Sequence, residues 1–140
     1  LLDWLGGRFK GDINKLAHLV YWPNAPGRSE AQFRWKQIRS CNFALWKTDF
    51  LRVNGFDETF EGWGHEDADL VLRLHHLGLK RVNGYFCTEV YHLWHRQNSR
   101  TGAGVNHQRV IERMLTGIVT AEKGIRDGLT APEVVVCNLN

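Results

Sequence analysis

The stretch FEGWGHEDADL, residues 60–70, is the part of the chain from which its fold is predicted. Three carboxylates, Glu66, Asp67 and Asp69, follow a Gly-Trp-Gly sequence centred on Trp63. Acidic side chains are favoured in the first turn of a helix, by roughly 0.3–1 kcal/mol each, because they interact with the helix dipole. Helix capping is therefore one explanation for the three acids, and a binding or catalytic site is the other.

A helix is predicted over about residues 66–77, ended by a glycine, because leucines recur at helical spacing. At about 100° per residue, Glu66 and Asp67 flank this apolar stripe. Asp69 lies on another face beside Arg73, where an ion pair four residues apart is natural. Capping explains Asp69 well, whereas carboxylates beside a packed stripe cost desolvation unless something uses them. The pattern therefore favours a functional site at Glu66 and Asp67. The stripe consists of Leu70, Leu74 and Leu77.

The residues just before this helix suit ligand binding. Trp63 offers a flat apolar face, and Gly62 and Gly64 let a ligand approach the backbone closely. His65 directly precedes the acids and is a further candidate to line the site. These residues together predict that the turn and the helix start form one site.

Two histidines, His92 and His95, stand three residues apart in the sequence VYHLWH. A strand that ends or bends here brings both onto one divalent ion, with carboxylates completing the coordination. In a regular strand, residues three apart face opposite ways. Two polar aromatic side chains at a strand end are therefore the alternative, and spacing alone favours it.

Elsewhere the sequence predicts short elements separated by loops. Residues 1–30 are expected to form a short helical piece and then an irregular loop containing proline. The apolar run 40–46 predicts a buried strand, and residues 47–55 predict a short helix ended by Gly55. Residues 81–94, rich in aromatic and β-branched side chains, predict an extended, strand-like segment.

A second amphipathic helix is predicted over about residues 105–125, because apolar residues recur on one face. The chain then divides into an N-terminal helical and loop segment (1–37), a main region (38–126) and a tail (127–140). The predicted apolar face comprises Ile111, Leu115, Ile118 and Ile125.

The charge balance argues against nucleic acid as a partner. The 18 basic and 15 acidic residues give a net charge of only +3, which is weak for binding a phosphate backbone. Seven basic residues against three acidic ones lie within residues 1–40. This bias fits peripheral contact with an anionic membrane surface, or simply a solvated basic face.

The cysteines and the hydropathy predict a location. The chain has three scattered cysteines and no Cys-x-x-Cys motif, so neither a disulfide framework nor a zinc finger is expected. No apolar run approaches the roughly 20 residues of a membrane-spanning helix, and no secretory signal is recognised. We therefore expect a cytoplasmic protein, with the cytosolic face of a membrane as the site of any peripheral contact.

The sequence CNFALWKTDFLRVNGFDETFEGWGHEDADLVLRL, followed by VYHLWH, resembles the C-terminal half of family 2 glycosyltransferases of the GT-A fold. The resemblance is closest to those with a galactosyltransferase-like C-terminal region and covers about residues 38–96. It implies an α/β fold of which this chain holds the acceptor and catalytic part. The only Asp-x-Asp lies at a helix start, and nothing before Ser40 alternates strands with helices. The nucleotide-binding half is therefore expected to be absent.

The resemblance implies roles for the acidic stretch. Asp67 matches the catalytic base that takes the proton from the acceptor hydroxyl, and Glu66 matches its acidic neighbour. Trp63 and Gly64 match the platform for the acceptor sugar, and Asp69 is assigned to the same acceptor site. Such relatives often have an acidic residue where this chain has an alanine, at position 68, so the acceptor stays open.

The resemblance also implies how the donor is held. His95 matches the histidine that ligates a divalent ion, usually Mn²⁺ or Mg²⁺, and His92 matches a second protein ligand. Cys41 and Asn42 match a segment near the donor sugar.

The implied function is inverting transfer of a sugar from a nucleotide-sugar donor to a hydroxyl of a saccharide or glycolipid acceptor. Synthesis of a cell-surface polysaccharide or lipopolysaccharide is the expected setting, and weak or absent turnover is expected of this chain alone. One alternative is a non-catalytic carbohydrate-binding module that uses Trp63 without needing Asp67. Another is a metal hydrolase that uses Glu66, Asp67, His92 and His95.

Overall fold

The computed structural model describes two units, and each is considered by itself. The first comprises Leu1–Ala31 with Arg81–Trp94, and the second comprises Gln32–Lys80 with His95–Asn140. The residues that the structure describes are 2–13, 15–16, 19–34, 38, 40–88, 90, 96 and 103–128.

In its described residues, the first unit contains an α-helix and a short pair of strands. Helix α1, Leu2–Lys10, is followed by a loop, which confirms the helical piece expected near the start of the chain. Strand β1, Ser29–Glu30, pairs antiparallel with β2, Arg81–Val82. The pairing joins Ser29 to Val82 and Glu30 to Arg81, whose side chains form an ion pair at 3.4 Å.

The strand predicted over residues 81–94 is shorter than expected. Among its described residues, 81–88 and 90, only Arg81–Val82 are β, and residues 85–88 form a turn. The backbone N–H groups of Cys87 and Thr88 both donate to the carbonyl of Gly84. Because these donors serve the turn, they are not available to a strand ladder. Residues 89 and 91–95 lie outside the described part of the chain.

The second unit is built mainly from helices. Helix α3 begins at Glu66 and ends at His76, and Gly78 follows with φ 92°, so the helix predicted around residues 66–77 is confirmed. The short helix predicted over 47–55 is also confirmed, with Gly55 at φ 71°. The helices of this unit are α2 (Lys47–Arg52), α3 (Glu66–His76), α4 (Ala103–Met114) and α5 (Ile125–Gly128).

Two apolar clusters form the core of this unit. Val53 packs with the predicted α3 stripe residues Leu70 and Leu74, and Phe50, Leu77, Leu79 and Val119 pack against them. The second cluster joins Phe60, Leu72 and Val110, with Phe33 against it. α3 therefore contributes to both clusters, which fixes the helix that begins at the acidic stretch.

The buried strand predicted at residues 40–46 is wrong. Ser40–Asn42 form a single 3-10 turn, and the residues up to Trp46 are irregular and exposed. Trp46 itself is 78% exposed. An apolar run forms a strand only where a neighbouring strand accepts its hydrogen bonds. Among the described residues, strand pairing is confined to β1 and β2.

The second amphipathic helix is shorter than predicted and buries a different face. α4 ends at Met114 instead of near residue 125, and a turn with Gly117 at φ 68° follows. Its buried residues are Asn106, Val110 and Arg113, whereas Leu115 of the predicted face is 88% exposed. Two of the three buried side chains are polar, and apolar periodicity does not detect such a face.

The burial of Arg113 is explained by a buried ion network of Asp57, Asp69, Arg73 and Arg113. The Asp69 carboxylate accepts hydrogen bonds from Arg73 Nε at 2.8 Å and Arg113 Nη1 at 2.7 Å. Arg113 Nη1 also lies 2.8 Å from the Asp57 carboxylate. Arg73 further donates to the carbonyls of Val53 and Gly55, at 2.6 and 2.9 Å. The network ties α3 to α4 and to the loop after α2.

Asp57 is the most hydrogen-bonded carboxylate of this network. Its oxygens accept from the backbone N–H groups of Thr59, Glu122 and Lys123 and from the Thr59 hydroxyl. Burial alone would raise the pKa of Asp57. The hydrogen bonds from Glu122, Thr59 and Arg113 outweigh that effect and lower this pKa to about 2.

No helix in the described residues has both the length and the apolar character needed to cross a membrane.

Candidate functional site

The Gly-Trp-Gly turn leads directly into α3. Gly62, Gly64 and His65 have φ angles of 83°, 90° and 73°. A glycine adopts this left-handed region at no steric cost, whereas a residue with a Cβ does so rarely. The turn therefore depends on both glycines. It leaves Trp63 43% exposed.

A side chain from α4 contacts both ends of this turn. Asn106, which is 3% exposed, donates from Nδ2 to the carbonyl of Glu61 at 3.1 Å and to that of Gly64 at 2.9 Å. Sequence reasoning missed Asn106, because nothing local distinguishes it from an exposed asparagine on a polar helix face. Its partners lie more than forty residues away along the chain.

Asp67 is half-buried, and both of its carboxylate oxygens accept backbone hydrogen bonds. Oδ2 accepts from Ser40 N–H at 3.2 Å, and Oδ1 accepts from Ala68 N–H at 2.8 Å. The bond from Ser40 brings the 3-10 turn that contains Cys41 and Asn42 beside the start of α3. The structure thus brings the predicted donor segment next to the predicted base, although they lie 27 residues apart.

Of the three acids, Asp69 differs in burial from the sequence-based expectation. Glu66 and Asp67 are half-buried at the first turn of α3, whereas Asp69 is fully buried. The ion pair expected with Arg73 is present, but it lies in the core and not on the surface. Because Asp69 is enclosed between two arginines, its carboxylate is not accessible to an acceptor. This corrects its assignment to the acceptor site.

His65 and His107 form a ring pair beside the acids. Their ring centroids lie 5.1 Å apart, and His107 belongs to α4. Burial lowers the pKa of His65, and the nearby His107 lowers it further, whereas the charges of Asp67 and Glu66 act in the opposite direction. His65 is therefore favoured in its neutral form at the start of α3.

A cavity of about 500 Å³ adjoins the turn, because Glu61 and Asn106 belong to its lining. Arg109 and Lys123 supply positive charge to its wall, and Glu58 supplies negative charge together with Glu61. Val105 and Thr59 complete the lining. The cavity is thus polar and of mixed charge, and it lies on the Asn106 side of the turn.

The predicted metal ligands His92 and His95 lie outside the described residues. Within the described ranges, no group of three or more His, Cys, Asp or Glu side chains is arranged to hold a metal ion. The assignment of a divalent ion to His92 and His95 therefore stays a prediction.

Comparison with known proteins identifies the family. Residues 27–96 match a family described as the N-terminal domain of galactosyltransferase. The chain is 45% identical over 51 residues to validoxylamine A glucosyltransferase of Streptomyces hygroscopicus subsp. jinggangensis, covering 36% of this chain and 12% of that protein. It is 38% identical over 68 residues to β-1,4-galactosyltransferase 4 of Cricetulus griseus, covering 47% and 19% respectively.

A third relative gives a longer alignment. The β-1,4-galactosyltransferase 4 of Rattus norvegicus is 34% identical over 92 residues, covering 61% of this chain and 25% of that protein. The chain thus corresponds to between 12% and 25% of the length of these relatives. No solved structure matches it. Because the family match spans half of the chain and includes the Gly-Trp-Gly turn, Glu66 and Asp67, the chain belongs to the family of the N-terminal domain of galactosyltransferase.

Proposed function

We propose that this chain forms the acceptor-binding and catalytic part of a glycosyltransferase that moves a sugar from a nucleotide-sugar donor to a saccharide hydroxyl. One observation carries the proposal. The Asp67 carboxylate lies at the start of α3, four residues after the exposed Trp63, and is hydrogen-bonded to the turn that contains Cys41 and Asn42. The glycosyltransferase relatives support the reaction class. We also propose that the protein is a family 2 glycosyltransferase of the GT-A fold and that this chain is its C-terminal half.

Asp67 is suited to act as the general base. Each carboxylate oxygen has two lone pairs and accepts one backbone N–H, so each retains capacity for a further hydrogen bond. The two backbone donors also restrict the rotation of the carboxylate, which favours one orientation toward an incoming hydroxyl. Trp63 offers an aromatic face for the apolar side of the acceptor ring, and Glu66 supplies a second half-buried carboxylate beside the base.

The proposed reaction is a single displacement. Asp67 takes the proton of the acceptor hydroxyl as the hydroxyl oxygen bonds to the anomeric carbon of the donor. The bond between that carbon and the diphosphate oxygen breaks on the opposite face, and the diphosphate leaves with the electron pair. The configuration at the anomeric carbon is thereby inverted.

The donor side of the proposal rests on Cys41, Asn42, His92 and His95. We place the donor sugar near the exposed Cys41 and Asn42, because Ser40 joins that turn to the base. His95 and His92 are proposed as ligands of Mn²⁺ or Mg²⁺, which when bound would offset the negative charge of the diphosphate. A Mn²⁺ titration followed by electron paramagnetic resonance tests these ligands without an activity assay. Binding that is unchanged in His95→Ala contradicts the assignment.

The experiment that tests the function measures release of nucleoside diphosphate from a panel of nucleotide-sugars with saccharide acceptors. It is run on this chain and on a longer protein that contains it. Asp67→Asn preserves size but removes the base, so transfer should fall by roughly 10²–10⁴-fold, while acceptor binding is retained. Asp49→Asn is the matched control, because Asp49 also lies in the first turn of a helix. Transfer that survives in Asp67→Asn would show that the acid is only a helix cap.

A non-catalytic carbohydrate-binding module is the second candidate, and the exposure of Trp63 favours it. Such a module binds saccharide in wild type and Asp67→Asn alike, loses binding in Trp63→Ala, and releases no diphosphate. Robust turnover by this chain alone would contradict the proposal that it needs a separate nucleotide-binding part. The setting in surface polysaccharide synthesis, the cytoplasmic location and peripheral membrane contact stay predictions, which cell fractionation and glycan analysis of a deletion strain test.

A further inference from the structure

Asn106 joins α4 to the turn that presents Trp63. Its amide nitrogen carries two N–H donors. One hydrogen bond goes to the carbonyl of Glu61 and one to the carbonyl of Gly64. These carbonyls stand on either side of Gly62 and Trp63. The side chain is almost fully buried, so water does not substitute for it. One side chain therefore holds both ends of the segment that carries the tryptophan.

The chemistry of this position requires an amide. A carboxylate of the same shape would place a negative oxygen against two carbonyl oxygens, and an apolar side chain would remove the donor that both carbonyls receive from Asn106. Two glycines flank Trp63, and glycine restricts the backbone least. Fixing both ends of such a segment limits the orientations open to the tryptophan ring.

We propose that Asn106 is a positioning residue that sets the orientation of Trp63 toward the acceptor sugar. This inference rests on the proposed function for its consequence in catalysis, but the effect on Trp63 itself does not. Loss of Asn106 leaves Asp67 hydrogen-bonded to Ser40 and removes both hydrogen bonds from α4 to the carbonyls of Glu61 and Gly64. Acceptor recognition should then weaken while donor recognition stays unchanged.

The test reads Trp63 directly. The full chain is labelled with 5-fluorotryptophan, and its ¹⁹F resonances are recorded, with Trp63 assigned from Trp63→Phe. Asn106→Leu and Asn106→Asp should shift or broaden the Trp63 resonance at neutral pH. In Asn106→Asp, acid protonates the introduced carboxyl and restores one donor, so the resonance should move back toward wild type. Gln108→Leu, an amide-to-leucine change at an exposed position of the same helix, should leave it unchanged.

The second readout is kinetic. In Asn106→Leu the acceptor KM should rise roughly fivefold, which corresponds to one neutral hydrogen bond of about 1 kcal/mol, while the donor KM is unchanged. A Trp63 resonance that coincides with wild type in folded Asn106→Leu overturns the inference. Global unfolding of both variants overturns it too, since the amide would then support the whole unit and not the turn. If wild type transfers no sugar, the proposed function is refuted, but the ¹⁹F measurement still tests whether Asn106 orients Trp63.

Discussion

Replacing Arg113 by methionine removes a cation that lies between the carboxylates of Asp57 and Asp69. Both carboxylates lie within 2.8 Å of Arg113 Nη1. After the change, Asp69 retains its ion pair with Arg73, and Asp57 retains the hydrogen bonds that it accepts from Thr59 and the 122–123 backbone. The guanidinium also stacks over the Phe60 ring, with 5.0 Å from Cζ to the centroid. Methionine preserves much of the apolar contact with Phe60, so the change in stability of this variant reports mainly the loss of the charge.

The loss of stability expected for Arg113→Met is large because the ion network is buried. The Asp57 and Asp69 side chains are 0% exposed, and Arg113 is 9% exposed, so water does not replace the missing cation. Removing one partner of a buried ion pair costs roughly 3–5 kcal/mol. The pair Arg52–Asp49 is a matched control, because Arg52 is 58% exposed and the two charges are 3.3 Å apart. An exposed pair contributes roughly 0–1 kcal/mol.

The assay is urea unfolding at neutral pH, followed by far-ultraviolet circular dichroism. Arg113→Met should lower the free energy of unfolding by at least about 2 kcal/mol more than Arg52→Met does. Arg113→Lys should cost less than Arg113→Met, because the charge remains and only the planar contact with Phe60 is lost. If Arg113→Met does not fold, Arg113→Lys takes its place in the comparison with Arg52→Met, because its charge still lies beside Asp57 and Asp69. An Arg113→Met variant as stable as Arg52→Met would refute the account of this network.

Two further predictions concern the same unit. Because the pKa of Asp57 is lowered from 3.8 to about 2, the folded state binds its proton less readily than the unfolded state. The stability that Asp57 contributes, about 2 kcal/mol, is therefore present above pH 3.8 and lost as the pH falls through about 2. In wild type, protonation of Asp57 should lower the urea midpoint as the pH falls from about 5 to about 2. This contribution to the pH dependence should be absent in Asp57→Asn, and an identical pH dependence in the two proteins would contradict the prediction. Gly124→Ala should lower the free energy of unfolding by roughly 1–3 kcal/mol, because its Cβ would overlap the carbonyl oxygen of Asn54. Gly104→Ala should raise it by roughly 0.5–1 kcal/mol, because a Cβ at this position of α4 meets open space. Equal thermal midpoints for the two alanine variants would refute the packing argument.

Local sequence was sufficient where an element depends on its own residues. The apolar spacing of Leu70 and Leu74 gave the position of α3, and Gly78 gave its end. The sequence analysis singled out Gly62 and Gly64 because they let a ligand approach the backbone, and the structure shows that both also adopt the left-handed region that glycine reaches at no steric cost. The acidic residues at the helix start, and with them the candidate base, were visible for this reason.

Only the tertiary structure decided which polar side chains are buried. Asp69 was expected to pair with Arg73 and to serve the acceptor site, but it is enclosed, because Arg113, 44 residues further on, reaches its carboxylate. Asn106 and Arg113 turn a polar face of α4 inward, since carbonyl and carboxylate partners from distant segments compensate their desolvation. The sequence by itself determined the helix of the acidic stretch and its Gly-Trp-Gly turn. The tertiary structure decided the buried ion network, the burial of Asp69 and the support of the turn by Asn106, because hydrogen bonds between distant residues leave no local pattern.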